Sequence, residues 1–211
     1  MIEDKILDYN KDELISYLRY EAGSSSPAYF LCEKEEGLRL QQVPEEFCGL
    51  LLWLKEQKFE KYLELGIGDG GSFLLNVFFQ SDLKKAVCVD NCAYWQNEQY
   101  KRIQEKITFL KNKKQECEIT FVNSKTDDFF AQNTEKFPCI FVDADHSYEA
   151  VKKDFENSLK ILEDGGCIIL HDINSRGCPG IIKLWKEIKN DKCKKFVYSD
   201  TCGIGIFKQG I

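Results

Sequence analysis

Apolar positions recur along this chain with two periods, and the change between them divides it. Over residues 2–20, Ile2, Ile6, Leu14 and Leu18 share one side of an expected helix. Pro44 opens a second, over 45–54, with Phe47, Leu50, Leu51 and Leu54 on one stripe. Between them EAGSSSPAY (21–29) is a Gly/Ser/Pro break that suits a mobile loop. From residue 61 short apolar runs alternate with amphipathic helices. KYLELG (61–66), KAVCVD (85–90), CEITFV (117–122), PCIFVD (138–143) and CIILHD (167–172) read as strands, the last after an EDGG turn. SFLLNVFF (72–79) reads as a helix, as do segments built on Tyr100, Ile103, Ile107 and Leu110, on Tyr148, Val151, Phe155 and Leu159, and on Ile181, Trp185 and Ile188.

Continuous apolar strands separated by helices predict a parallel sheet buried on both faces. Residues 194–208 read as strand, tight turn, strand, and strands joined so closely run antiparallel. The expected fold is therefore α/β: a doubly wound, Rossmann-like, seven-stranded and mostly parallel sheet that ends in an antiparallel hairpin. Residues 1–40 form an expected helical extension or lid, and 41–211 a single domain.

Charge narrows the partners. The net charge of −6 gives no basic footprint for nucleic acid, so a small molecule or sugar is the expected partner. No apolar run reaches the roughly 18–20 residues of a membrane span. The first twenty residues are charged throughout, which predicts no secretory leader. Ten cysteines contain no C-x-x-C pair, and Cys88, Cys139 and Cys167 lie inside apolar runs as small buried hydrophobes. Free thiols and a cytoplasmic location are expected.

Ligands of open α/β sheets bind beyond the carboxyl ends of the strands. After the first strand, Glu64 precedes a glycine loop. Gly66, Gly68 and Gly71 match G-x-G-x-x-G, and Gly66, Gly68 and Gly70 equally match G-x-G-x-G. Asp90 ends the second strand, followed by Asn91, and a carboxylate there can accept hydrogen bonds from both ribose hydroxyls of a nucleoside cofactor. Asn123, Ser124 and Lys125 follow the third strand and border an adenine in this reading, with Tyr94 and Trp95 as a cover for its face. The fourth strand ends in Asp143-Ala144-Asp145-His146 and the fifth in His171-Asp172, so both histidines of the chain share one edge. Such acids suit a hard divalent cation, and histidine suits a base near neutral pH. Asp145 reads as a cap for the next helix. Trp53, Tyr100 and Trp185 read as core.

YLELGIGDGGS, VCVDN, VNSKTDD, IFVDADHSYEAVKKD and GGCIILHDI together resemble the successive motifs of class I S-adenosylmethionine-dependent methyltransferases. Within them, VDADHSYE followed by GG…HD is similar to the small O-methyltransferase group of catechol-type, caffeoyl-CoA-type and sugar-modifying enzymes. The resemblance implies S-adenosylmethionine as cofactor and an oxygen acceptor on a small molecule or sugar. It also implies residue roles. Glu64, Gly66 and Gly68 shape the cofactor loop, Ser72 binds the methionine carboxylate, Asp90 and Asn91 meet the ribose, and Ser124 lies near the adenine. Gln42 and Val43 match a cofactor-contacting segment. Asp143 and Asp172 match Mg²⁺ ligands, and His146 matches the general base of the sugar-modifying branch. Ile173 stands where catechol-type enzymes place a third ligand, and His171 stands where the sugar-modifying branch has an acid. A metal is thus held by Asp143 and Asp172 with His171 or water, or is absent. Two alternatives stay open, an NAD-dependent oxidoreductase and a non-catalytic cofactor-binding partner protein. Residues 1–40 are also a candidate surface for a homodimer.

Overall fold

The computed structural model describes residues 2–20, 22, 38–93, 96–188 and 193–208. The Gly23–Pro27 loop and the Tyr94–Trp95 adenine cover lie outside these residues.

The expected helix over 2–20 is broken. A 3-10 turn spans Asp4–Asp8, and α1 runs Lys11–Tyr20. Asn10 makes the break: its Oδ1 accepts from the amides of Asp12 and Glu13, and the Glu13 carboxylate accepts from the Asn10 amide. This reciprocal capping satisfies helix-start donors that otherwise have no partner. The signal, Asn followed three residues later by Glu, is in the sequence. Ile2, Ile6, Leu14 and Leu18 are nonetheless all buried, in one core with α2 (Pro44–Lys55).

The alternation follows: β1 (Lys61–Leu65), α3 (Gly71–Phe78), β2 (Lys85–Asp90), α4 (Gln96–Lys113), β3 (Glu118–Asn123), α5 (Thr126–Gln132), β4 (Phe137–Val142), α6 (Tyr148–Ile161), β5 (Leu162–Leu170), α7 (Pro179–Ile188), β6 (Lys194–Phe196) and β7 (Ile204–Lys208). The sheet order is β3-β2-β1-β4-β5-β7-β6. The first five strands are parallel, and β7 pairs antiparallel with both β5 and β6. The doubly wound sheet and terminal hairpin are as the sequence predicts.

Strand alternation explains the unbroken apolar runs. Tyr62, Cys139, Phe141, Cys167 and Ile169 face a core shared with α1–α4. Leu63, Leu65, Ile140, Val142, Ile168 and Leu170 face a second core shared with α5–α7. Both faces are covered, so nearly every central position of these strands is apolar, with the buried Glu64 of β1 as the exception.

Residues 126–132 form α5, which apolar periodicity does not predict, since Thr-Asp-Asp-Phe-Phe has little of it. Three expectations are corrected. EDGG is not a turn: β5 begins at Leu162, and Gly165, at φ +76°, bends it where the pairing with β4 shifts register. The connection between β6 and β7 is not tight but spans 197–203. Tyr100 lies on the surface at 43% exposure, whereas Trp53 and Trp185 are buried. The nine cysteines among the described residues are free, as expected. No helix among those residues is long and apolar enough to cross a membrane.

Candidate active site

The chain turns at once after β1. Gly66 has φ +75°, and a Cβ there would sit 2.2 Å from the carbonyl oxygen of Asp143. Only glycine allows that approach. The Asp143 amide donates to Leu65 at 2.8 Å, so the glycine loop and the end of β4 are locked together.

Beneath the loop lies a closed polar network. Glu64 is fully buried and accepts from Ser72 Oγ at 2.5 Å, from the Tyr62 hydroxyl, and from Asn76 Nδ2 at 3.0 Å. Burial pushes its carboxyl up to about 7, against the three hydrogen bonds that favour the charged form. The Ser72 hydroxyl, expected on the cofactor's carboxylate, is committed to Glu64 in this arrangement.

Asp90 closes the loop from the other side. Its Oδ2 accepts from the amides of Ile67 at 3.0 Å and Gly68 at 3.1 Å, and its Oδ1 accepts from Cys92 at 2.7 Å. Gln99 Nε2 bridges Asp90 Oδ1 and the Gly68 carbonyl. The loop amides therefore face a protein carboxylate rather than open solvent. Asn91 is exposed and accepts from the Ala93 amide. Ser124 is half-buried, its amide donating to the Asp90 carbonyl.

A third layer comes from the segment before α2. Leu38 and Leu40 pass over Gly71, Gln41 reaches toward Gly68, and Gln42 Nε2 donates to Asp143 Oδ2 at 3.0 Å. Val43, buried, leads into the helix. Arg39 and Arg102 pin this segment and α4 to Asp69, at 3.0 and 2.7 Å.

Beyond β4 and β5 the two histidines meet the two acids. His171 Nδ1 lies 3.2 Å from Asp143 Oδ1 and 3.3 Å from Asp172 Oδ2. His146 Nε2 lies 3.1 Å from Asp172 Oδ2 and 3.5 Å from Asp143 Oδ1. Asp172 adopts φ +60°, a left-handed conformation that turns its carboxylate back over the strand end and costs about 1–3 kcal/mol for a non-glycine residue. Hydrogen bonds to Asp143 and Asp172 push His146 up to about 11 despite its partial desolvation. For His171, burial alone would lower the proton affinity, but the same two acids outweigh it and hold it well above the usual range. Burial likewise opposes the acids, yet the imidazoles hold Asp143 down at about 2 and Asp172 below the usual carboxylate range. The quartet is two ion pairs in one pocket. His171 is buried, while the His146 side chain is 43% exposed, so it is His146 that faces an incoming molecule.

Asp145 accepts from the Ser147 amide at 2.8 Å in the turn before α6, but it does not cap the helix as expected: the N-cap position is Ser147, without a side-chain capping bond. Four nearby residues escaped the sequence reading. Gln99 and Glu46 carried no motif. Cys178 and Cys202 carried none either, yet each contributes a sulfur beside Asp172. Only the hairpin hinted at Cys202, because β7 returns alongside β5.

A family profile described as a methyltransferase domain matches residues 63–173, from β1 to just past the end of β5. The chain belongs to this methyltransferase family. Among solved structures, the methyltransferase is similar to an O-methyltransferase from Bacillus cereus in complex with SAH. That match has 18% identity and a TM-score of 0.58, covering 99% of this chain and 92% of the other. It is also similar to the O-methyltransferase TomG from Streptomyces achromogenes, involved in tomaymycin synthesis and solved in complex with SAM. Here identity is 14%, TM-score 0.60, and both chains are covered in full at 100%. At these identities the likeness establishes the fold. No curated protein matches the chain.

The Mg²⁺ implied by the sequence meets the wrong donors. Asp143, His171 and Asp172 do converge. But Ile173, at the expected third-ligand position, is buried and apolar. The ligand atoms that gather with Asp172 are those of His171 and Cys202 on one side and His146 and Cys178 on the other, each set within 4.8 Å. Mg²⁺ takes oxygen and keeps octahedral waters, and imidazole and thiol do not suit it.

Proposed function

We propose that this methyltransferase uses S-adenosylmethionine to methylate a hydroxyl oxygen of a small molecule or sugar, with His146 as the group that manages the acceptor proton. The observation that carries the reading is the Asp143–His146–His171–Asp172 quartet, held at the rim of the glycine loop by the contact of Gly66 with Asp143.

The cofactor supplies an electrophilic sulfonium methyl, which an acceptor oxygen attacks in line. Glu64, Gly66, Gly68 and Ser72 shape its loop. Asp90, with Asn91 beside it, meets the ribose, Ser124 lies toward the adenine, and Gln42 and Val43 wall the near side. Asp90 exchanges some of its bonds to the loop amides for the ribose hydroxyls. His146 is the exposed member of the quartet and receives the acceptor. Asp143 and Asp172 orient its ring and hold it as imidazolium at neutral pH, so His146 takes the hydroxyl proton only after releasing its own, and turnover should rise with pH into the alkaline range. Methyl passes from sulfur to oxygen, and the proton leaves the oxygen for His146.

Calorimetry with S-adenosylhomocysteine, with NADH as control, tests the cofactor. Micromolar binding of the first and none of the second is expected, and binding of NADH alone overturns the reading. Methyl transfer to a panel of catechols and glycosides then tests the base. His146→Ala should keep the affinity for S-adenosylhomocysteine and lose about 10²–10⁴ in turnover. Unchanged turnover would remove His146 from the chemistry.

A further inference from the structure

The thiols beside Asp172 have no part in that mechanism, and their placement is not casual. Cys202 is fixed from both sides. Its carbonyl accepts from the Asn174 amide at 2.7 Å, and the amide of the next residue, Gly203, donates to the buried carboxylate of Glu46 at 2.8 Å. The Gly203 carbonyl in turn accepts from Ile173 at 3.2 Å. These bonds hold the connection between β6 and β7 against the segment that follows β5, so that one ligand atom each of His171, Asp172 and Cys202 falls within 4.8 Å of the others.

His171 adds a second observation. The residue is buried at 4% exposure, and its Nδ1 is held between Asp143 and Asp172. Its Nε2 is buried with no hydrogen-bond partner among the described residues. A buried polar atom left unsatisfied costs about 1–3 kcal/mol. Asp143 on Nδ1, with Nε2 left without a partner, is the arrangement of a metal-ligating imidazole whose second nitrogen is oriented by an acid.

We propose that His171, Asp172 and Cys202 bind a borderline divalent metal of the zinc class rather than Mg²⁺. Imidazole, carboxylate and thiolate are the donors such ions take, and three protein ligands leave a fourth position open to a small oxygen ligand. The competing set, His146, Asp172 and Cys178, is more exposed and loses His146 to the acceptor. The proposal shares His171 and Asp172 with the quartet behind the methyltransferase reading and adds Cys202, so metal binding and cofactor binding are read separately.

The test uses the whole chain, stripped of metal with a chelator and titrated with Co²⁺, which reports its ligands optically. About one equivalent should bind and give a thiolate-to-cobalt band in the near ultraviolet, with Zn²⁺ displacing it and millimolar Mg²⁺ leaving it in place. Removing even an outer-sphere partner of a metal costs roughly 10–100-fold in affinity, so Cys202→Ser should weaken Zn²⁺ binding at least about tenfold and abolish the band. Cys178→Ser should retain both. Absence of Co²⁺ and Zn²⁺ binding, displacement by Mg²⁺, or a band that survives Cys202→Ser overturns the proposal. Circular dichroism of each variant reports folding. S-adenosylhomocysteine affinity in the same samples reads the cofactor site: if that ligand binds where the metals do not, the metal inference falls and the methyltransferase reading stands.

Discussion

Glu64 shows what a single buried carboxyl does to the fold around it. It sits with no exposure under the glycine loop, and burial raises its carboxyl from 4.5 to about 7. The folded protein thus holds a proton between pH 4.5 and 7 that the unfolded chain has released. Binding more protons when folded means stability falls as pH rises through that window, and the loss is complete above about 7. Glu64→Gln keeps the shape of the protonated acid and removes the titration. Urea unfolding at pH 5 and pH 8 should show the variant gaining about 2–3 kcal/mol on the natural protein as pH rises. Parallel stabilities at the two pH values would mean that Glu64 is ionised throughout. Two glycines separate strain from contact at the same scale. Gly66 and Gly165 have near-equal φ, +75° and +76°, but a Cβ on Gly66 meets the Asp143 backbone while one on Gly165 meets nothing within 4 Å. Gly165→Ala should cost only the left-handed strain, about 1–2 kcal/mol by urea unfolding. Gly66→Ala should cost clearly more and also abolish S-adenosylhomocysteine binding, because the loop can clear Asp143 only by moving. Equal costs would show that the contact at Gly66 relaxes freely.

Among the elements, α2 does more than cover the sheet. Its Glu46, at 1% exposure, reaches the connection between β6 and β7 and accepts from the amides of Tyr198 and Gly203 and from the Thr201 hydroxyl. One carboxylate thereby satisfies three donors in a stretch with no ladder of its own. Glu46→Ala leaves the buried Gly203 amide without its partner, while the exposed Tyr198 can turn to water, and should cost about 1–3 kcal/mol in urea unfolding. Glu46→Gln, with one accepting oxygen instead of two, should recover only part. A loss below about 1 kcal/mol would show that water replaces the carboxylate. This tie also marks where the sequence stops being readable. Strand ends announce themselves, because a continuous apolar run that stops in Asp or His names both an element and an edge. So Asp90, Asp143, His146, His171 and Asp172 were all legible. Period alone could not reveal α5, whose two phenylalanines are adjacent rather than one turn apart. Nor could it reveal the kink in β5, since EDGG has the composition of a turn and only the flanking pairs of Leu162 and Cys167 with β4 make it an irregularity within a strand. Cys202 was invisible for another reason: its place beside Asp172 is set by tertiary contacts between residues far apart in sequence.

At the scale of the molecule, the candidate site draws on five separate stretches: the segment before α2, the loop after β1, the end of β2, and the ends of β4 and β5. Few of these contacts survive without the rest of the sheet, so a cofactor that bridges them binds the folded chain and not the unfolded one. Such a ligand stabilises by RT ln(1 + [L]/Kd), about 2.7 kcal/mol at a hundredfold excess over Kd. In a chain of this size each kcal/mol moves the melting temperature by roughly 2–4 °C. S-adenosylhomocysteine at that excess should therefore raise Tm by about 5–10 °C, and NADH should leave it unchanged. Asp90 decides how the gain arises. It receives two loop amides before any ligand arrives, so Asp90→Ala frees the loop and removes the ribose acceptor together. The variant should melt lower without ligand and lose most of the upward shift with it. A variant that melts lower yet keeps the full shift would place the ribose elsewhere and leave Asp90 as a brace for the glycine loop alone.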